Sequence, residues 1–175
     1  MIAKFLQSLL DATSRVLMLG LELLGRMPGV RYPRFISLGY RAKRAFKTYE
    51  REQATALARE LLLIAEEYRE DWHYGNALHQ AHLVLGWVAL SQGDLATARS
   101  ELLCAGRVPG SPQLNSFGPS MGLAKEMLQA GQHEAVLEYL DLCRKFWAIG
   151  VERLDQWTVD VRDSRMPHFG PNERY

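Results

Sequence analysis

Two glycines, Gly93 and Gly131, each interrupt an apolar pattern of helical period that resumes within a few residues, and this pair of breaks constrains the chain more than any other feature. The spacing predicts helices over Ala77 to Ser91 and Leu95 to Ala105, with Asp94 as the N-cap of the second. After the loop Arg107 to Ser120, rich in Gly, Pro, Ser and Asn, it predicts helices over Met121 to Gln129 and Glu134 to Trp147. Helices separated by so few residues must fold back on each other, so the chain is read as all-α and built from antiparallel helical hairpins.

Gly131 lies 38 residues after Gly93, and the same shift places Leu85-Gly86 over Leu123-Ala124, Ala98 over Val136, Leu102 over Leu140 and Ala105 over Cys143. The first unit resembles a tetratricopeptide repeat: Leu85-Gly86 matches its Leu-Gly pair, Gly93 its inter-helix glycine, and Ala98 and Ala105 its small packing residues. Gly110 to Trp147 is similar to bacterial tetratricopeptide-like proteins. The departures are His82 for the favoured Trp, Ala89 for Tyr, and a period longer than 34 residues. The resemblance implies hairpins stacked as a short right-handed superhelix with flanking N- and C-terminal helices. It also implies recognition of a partner protein along the first helix of each hairpin. The positions so implied are Gln80, Leu83, Trp87, Leu90 and Ser91, then Met121, Lys125, Leu128 and Gln129. Trp87 is either the anchor for that partner or a core residue packed on the helix before it.

On either side the chain continues in helical pattern. Ile2 to Leu24 reads as an apolar amphipathic helix with a narrow polar stripe, stopped by Gly25 and Pro28. Pro33 is predicted to open a helix running past Glu50 to about residue 70, with apolar and basic faces segregated. Val151, Leu154, Trp157 and Val161 suit a terminal helix capping the stack, and Met166 to Tyr175 reads as a loose tail. The expected organisation is an N-terminal helix over 1–28, a helical body over 29–165 and a tail over 166–175.

Net charge is only +1, yet Arg26 to Arg51 holds eight basic residues against Glu50, which leaves the remainder at −6. A basic collar of Arg31, Arg34, Arg41, Arg44 and Lys47 beside an apolar helix suits contact with a membrane or other acidic surface. Burial of that first helix, or its use in self-association, is the alternative. Asp11, Arg15 and Glu22 argue against a membrane span, and no cleavage site follows for a secretory leader. Cys104 and Cys143 have no metal-ligand spacing and read as core residues of a reducing, cytoplasmic compartment, at most peripheral to the membrane. His79-x-x-His82 shares a helix face but lacks the companions of a metal site. No phosphate loop, dinucleotide fingerprint or nucleophile elbow is present, so no catalysis and no cofactor are expected. Nucleic acid is the weaker partner for the collar, since no binding motif accompanies it.

Overall fold

The computed structural model describes residues 28–173, which contain eight α-helices and no strand. They are α1 (Pro28–Lys47), α2 (Arg51–Ala65), α3 (Tyr74–Ser91), α4 (Leu95–Gly106), α5 (Pro112–Phe117), α6 (Gly122–Gln129), α7 (His133–Cys143) and α8 (Val151–Arg162). The expected helix over residues 2–24 lies outside the described residues. The chain divides into two compact units, 1–37 and 38–175. In the first, Phe35 is buried, with the Tyr32 ring 6.2 Å away, and the Ser37 hydroxyl donates to the Arg34 carbonyl.

In the second unit α3 packs on α2 and α4, α4 on α7, and α7 on α6 and α8. The core follows the predicted stripes: Ala98, Leu102 and Ala105 of α4, and Val136, Leu140 and Cys143 of α7, are all fully buried. Small residues at the α4 positions let its axis approach its neighbours closely, which favours dispersion contacts along the whole helix.

Both inter-helix glycines are left-handed, with φ of 77° at Gly93 and 75° at Gly131. At the first, Gly93 N–H donates to Leu90 O and Asp94 N–H to Ala89 O; 38 residues on, Gly131 N–H donates to Leu128 O and Gln132 N–H to Met127 O. This is the paired hydrogen-bond pattern that closes a helix on a left-handed residue. Asp94 then caps α4, its carboxylate accepting from Thr97 N–H at 3.0 Å.

The helix expected over 34–70 is two helices, and Pro33 lies inside the first rather than at its start. They part at Thr48 to Glu50 by the same device: Tyr49 N–H donates to Phe46 O, Glu50 N–H to Ala45 O, and Tyr49 has φ of 64°. A tyrosine in that conformation carries no turn signal, so the break was not visible in the residue types.

The 38-residue shift extends to helix boundaries. It carries Tyr74 onto Pro112 and Ser91 onto Gln129, so α5 and α6 together are the counterpart of α3. Where α3 is continuous, its counterpart is broken at Gly118 to Met121. Pro119 supplies no N–H and Gly118 takes φ of 85°. The region expected to be loop therefore holds a short helix, capped by Ser111, whose hydroxyl accepts from Leu114 N–H.

Trp147, beyond the end of α7, is wedged against the break: a Cβ on Gly118 or Gly150 would come within 2.5 or 2.2 Å of its indole. Trp157 lies 5.8 Å from Trp147 and 5.1 Å from Phe169, and its Nε1 donates to His168 O. The described part of the segment expected as a loose tail, residues 166–173, is consequently packed. Phe169 and Asn172 are each 1% exposed. Long-range contacts of an aromatic ring and a carboxamide hold it, and neither has a local sequence signature.

Candidate binding groove

The broken helix positions everything around it, because a buried break leaves backbone groups that must find partners. Gly118 N–H still donates to Leu114 O, and Pro119 has none to place. Ser120 N–H donates to His79 Nε2 at 3.1 Å, and Met121 N–H to Asn172 O at 2.8 Å. Asn172 Nδ2 donates to both Phe117 O and Pro119 O, at 2.9 and 3.0 Å, and the Tyr139 hydroxyl donates to Ser120 O at 2.8 Å. Side chains from α3, α7 and the C-terminal segment thus meet on three residues of main chain, Phe117, Pro119 and Ser120.

His79 serves this joint alone. Its Nδ1 donates to Ala105 O at 2.9 Å while Nε2 accepts from Ser120, which fixes the neutral tautomer with its proton on Nδ1. Burial drives its pKa down to about 4, against a smaller upward pull from the Ala105 carbonyl. Tyr139 stacks on it at 6.4 Å, and burial raises that phenol's pKa well above the ordinary value. His82 points elsewhere, Nδ1 lying 2.8 Å from Glu101 Oε2. Among the described residues no three His, Cys, Asp or Glu side chains form a group that would hold a metal ion. Burial raises both thiols, Cys143 far above the ordinary range, so neither is an activated nucleophile.

Above the joint lies a cavity of about 440 Å³. Tyr40 and Lys43 of α1 form one wall, Gln80, Leu83 and Trp87 of α3 the floor, and Phe117 the far rim. α1 and α3 approach at Gly39, where a Cβ would fall 3.2 Å from Gln80 Cβ and closer still to its amide. A second concavity of about 560 Å³ shares Lys43 and Trp87 with the first and continues to Lys47, Lys125 and Gln129. The two are one groove, divided by the Trp87 ring.

Trp87 itself is 7% exposed, stacked on Phe46 at 6.0 Å with Lys43 Nζ 5.7 Å from its ring. It both packs on α1 and lines the groove. Of the other implied positions, Gln80 and Leu83 line the first concavity, and Lys125 and Gln129 the second. Met121 is fully buried and Leu128 nearly so, which leaves them no surface for a partner. Leu90 is half-buried, and the exposed Ser91 donates to Val88 O; neither borders the groove. Sequence reasoning missed Tyr40, Lys43 and Phe117 as groove residues. The one signal was Gly39 inside an otherwise amphipathic helix, which marks a close helix approach.

Charge along the groove is uneven. Among the described residues Lys43 is the one charged side chain lining the first concavity; the rest of the polar lining they supply is Asn76, Gln80, Gln113, Tyr40, Ser120 and neutral His79. Gln113 Oε1 is buried with no hydrogen-bond partner among the described residues. Burial, and then the neighbouring Lys47 charge, hold the Lys43 pKa below its ordinary value. In the second concavity Glu173 Oε1 accepts from Lys125 Nζ at 2.6 Å. Burial raises the Glu126 carboxyl, opposed by the nearby Trp87 indole N–H. Of the collar, Arg31 and Arg34 are half-buried, while Arg41, Arg44 and Lys47 are exposed and form no ion pair among the described residues. No described helix is long and apolar enough to cross a membrane.

No protein-family model, curated protein or solved structure matches this chain.

Proposed function

We propose that the chain is a non-catalytic interaction module, of tetratricopeptide-like build, that holds a segment of a partner protein in the groove along α3. The observation that carries this reading is the groove: an apolar floor, three carboxamides suited to a peptide main chain, and an aromatic divider between two concavities. The hairpin turns that repeat 38 residues apart support the family likeness. Tyr40 and Phe117, 70% and 58% exposed, stand at the mouth where an incoming side chain would first make contact.

A photo-crosslinking residue at position 117, compared in cells with the same residue at position 63, exposed on α2 and bordering neither concavity, tests the proposal. The expected result is a discrete protein adduct from position 117 that disappears in a Tyr40→Ala background while thermal stability is unchanged. Identical adducts from both positions would refute a groove-directed partner.

A second reading rests on Arg41, Arg44 and Lys47, which leave an exposed row of cations on α1. In it the chain is a membrane-peripheral assembly subunit. Flotation with anionic liposomes at low and high salt separates the two, since only surface attraction is lost by screening.

A further inference from the structure

We infer that Gly170–Glu173 is a releasable strap: it occupies on α6, in cis, the helix face that on α3 forms the groove floor, and a partner segment that spans both hairpins displaces it. This regulates the site proposed above and rests on that reading. The 38-residue shift carries Leu83, Val84 and Trp87, which line the first concavity, onto Met121, Gly122 and Lys125. The strap lies on those three residues. Met121 N–H donates to Asn172 O at 2.8 Å, Glu173 O stands 3.2 Å from where a Gly122 Cβ would be, and Glu173 Oε1 accepts from Lys125 Nζ. Glu173 is also part of the wall of the second concavity, so the groove meets the strap there.

The C-terminal segment is held in two different ways on either side of Gly170. Before it, Phe169 is buried against Trp157, whose Nε1 donates to His168 O. Moving that ring into water carries a hydrophobic cost, so this half stays in place. Beyond Gly170 the hold on α5 and α6 is polar: the Asn172 carboxamide on Phe117 O and Pro119 O, its carbonyl on Met121 N–H, and the Glu173 carboxylate on Lys125. The side chains of that ion pair are 38% and 32% exposed, so solvent screens it. When the whole turn lifts away, the groups it leaves are open to water rather than buried without partners, and the exchange of one partner for another has a small net cost. Gly170 supplies the hinge, with φ of 57° and no described atom within 4 Å of where its Cβ would be. A segment that takes the strap's place has to bring what it removes: a carbonyl for Met121 N–H and a carboxylate for Lys125.

The test is native-state amide exchange on the full 175-residue chain, with the ion pair as the handle. Met121 N–H should exchange at least roughly tenfold faster than the core amide of Leu140, through an opening that low denaturant does not promote. Glu173→Lys, and separately Lys125→Glu, should speed Met121 exchange about fivefold, and the double change Lys125→Glu/Glu173→Lys should return it to near the starting rate. The consequence for binding is read by a photo-crosslinking residue at position 129, exposed on α6 and lining the second concavity. It should capture the protein that position 117 captures, about fivefold more in Glu173→Lys than in the unaltered chain, with the double change reversing the gain. Met121 exchange no faster than that of Leu140 would overturn the strap and leave the groove standing. So would a position 129 adduct that the charge changes do not move while position 117 keeps its own. No adduct from position 117 in any of these chains would overturn the groove, and the strap's control of it with the groove.

Discussion

The hairpins α3–α4 and α6–α7 close on the same turn, with the same φ and the same pair of hydrogen bonds, and yet do opposite things with their concave side. In the first, α3 is unbroken and its outer face borders open space that Gln80, Leu83 and Trp87 line. In the second, the equivalent helix is split and its start is covered by the chain's own residues, with Asn172 on Met121 and Glu173 on Lys125. The lesson is that a repeat's register does not determine what its face is for. Continuity of the first helix frees a surface, whereas a break creates buried backbone groups that recruit side chains from elsewhere.

If that contrast is right, the most damaging change is at the joint. His79→Leu removes the buried side-chain bonds to Ala105 O and Ser120 N–H, and a loss of about 3–5 kcal/mol in urea unfolding is expected. A loss under 1 kcal/mol would mean the two hairpins are not coupled there. Acid probes the same residue. With its folded pKa depressed to about 4 against about 6.5 unfolded, His79 adds no pH dependence above that range. As pH falls through it the unfolded chain takes up the proton first, so stability should decline by roughly 3 kcal/mol between pH 6.5 and 4. Burial lowers His73 in the same sense, while the half-exposed Glu126, its pKa raised, acts weakly in the opposite one. A flat stability profile over that window, measured by denaturant titration, would contradict a buried neutral imidazole.

Asn172→Ala strips two donors from the split helix and should cost about 2–4 kcal/mol, with no comparable position in the first hairpin. Amide exchange at Ser120 and Met121 should accelerate with it. The turns supply the sharpest control of likeness. Gly93→Ala and Gly131→Ala place a Cβ in open space at nearly equal φ, so each should cost about 1 kcal/mol and the two should agree within ~0.5. Unequal losses would show that the turns are not equivalent in energy. The smallest effect runs the other way: Tyr49→Gly, at an 82% exposed tyrosine with φ of 64°, should stabilise by about 0.5–1 kcal/mol, read as a small rise in melting temperature.

What was legible in the sequence is what local physics dictates. Gly93, Gly131 and the Asp94 cap announced their turns through residue type, and the apolar stripes of α4 and α7 announced their buried faces. The helix at Pro112 carried a capping serine and a first-turn proline, but its surrounding Gly, Pro and Asn read as loop. Tyr49 and the C-terminal segment were invisible for a different reason. A tyrosine held left-handed, or an asparagine 55 residues from the carbonyl it serves, acquires its role only from tertiary context. The groove was half legible: repeat position found its floor on α3, but nothing local said that α1 would supply the wall.

Asn172 also sets an order of events during synthesis. The main chain at residues 117 to 121 emerges from the ribosome about fifty residues before the carboxamide that satisfies two of its carbonyls, and the Tyr139 hydroxyl arrives between the two. Until residue 172 has cleared the exit tunnel, the break that Gly118 and Pro119 impose lacks the carboxamide that satisfies two of its carbonyls. The joint is thus completed late, and the groove above it takes final form only once the chain has passed that point.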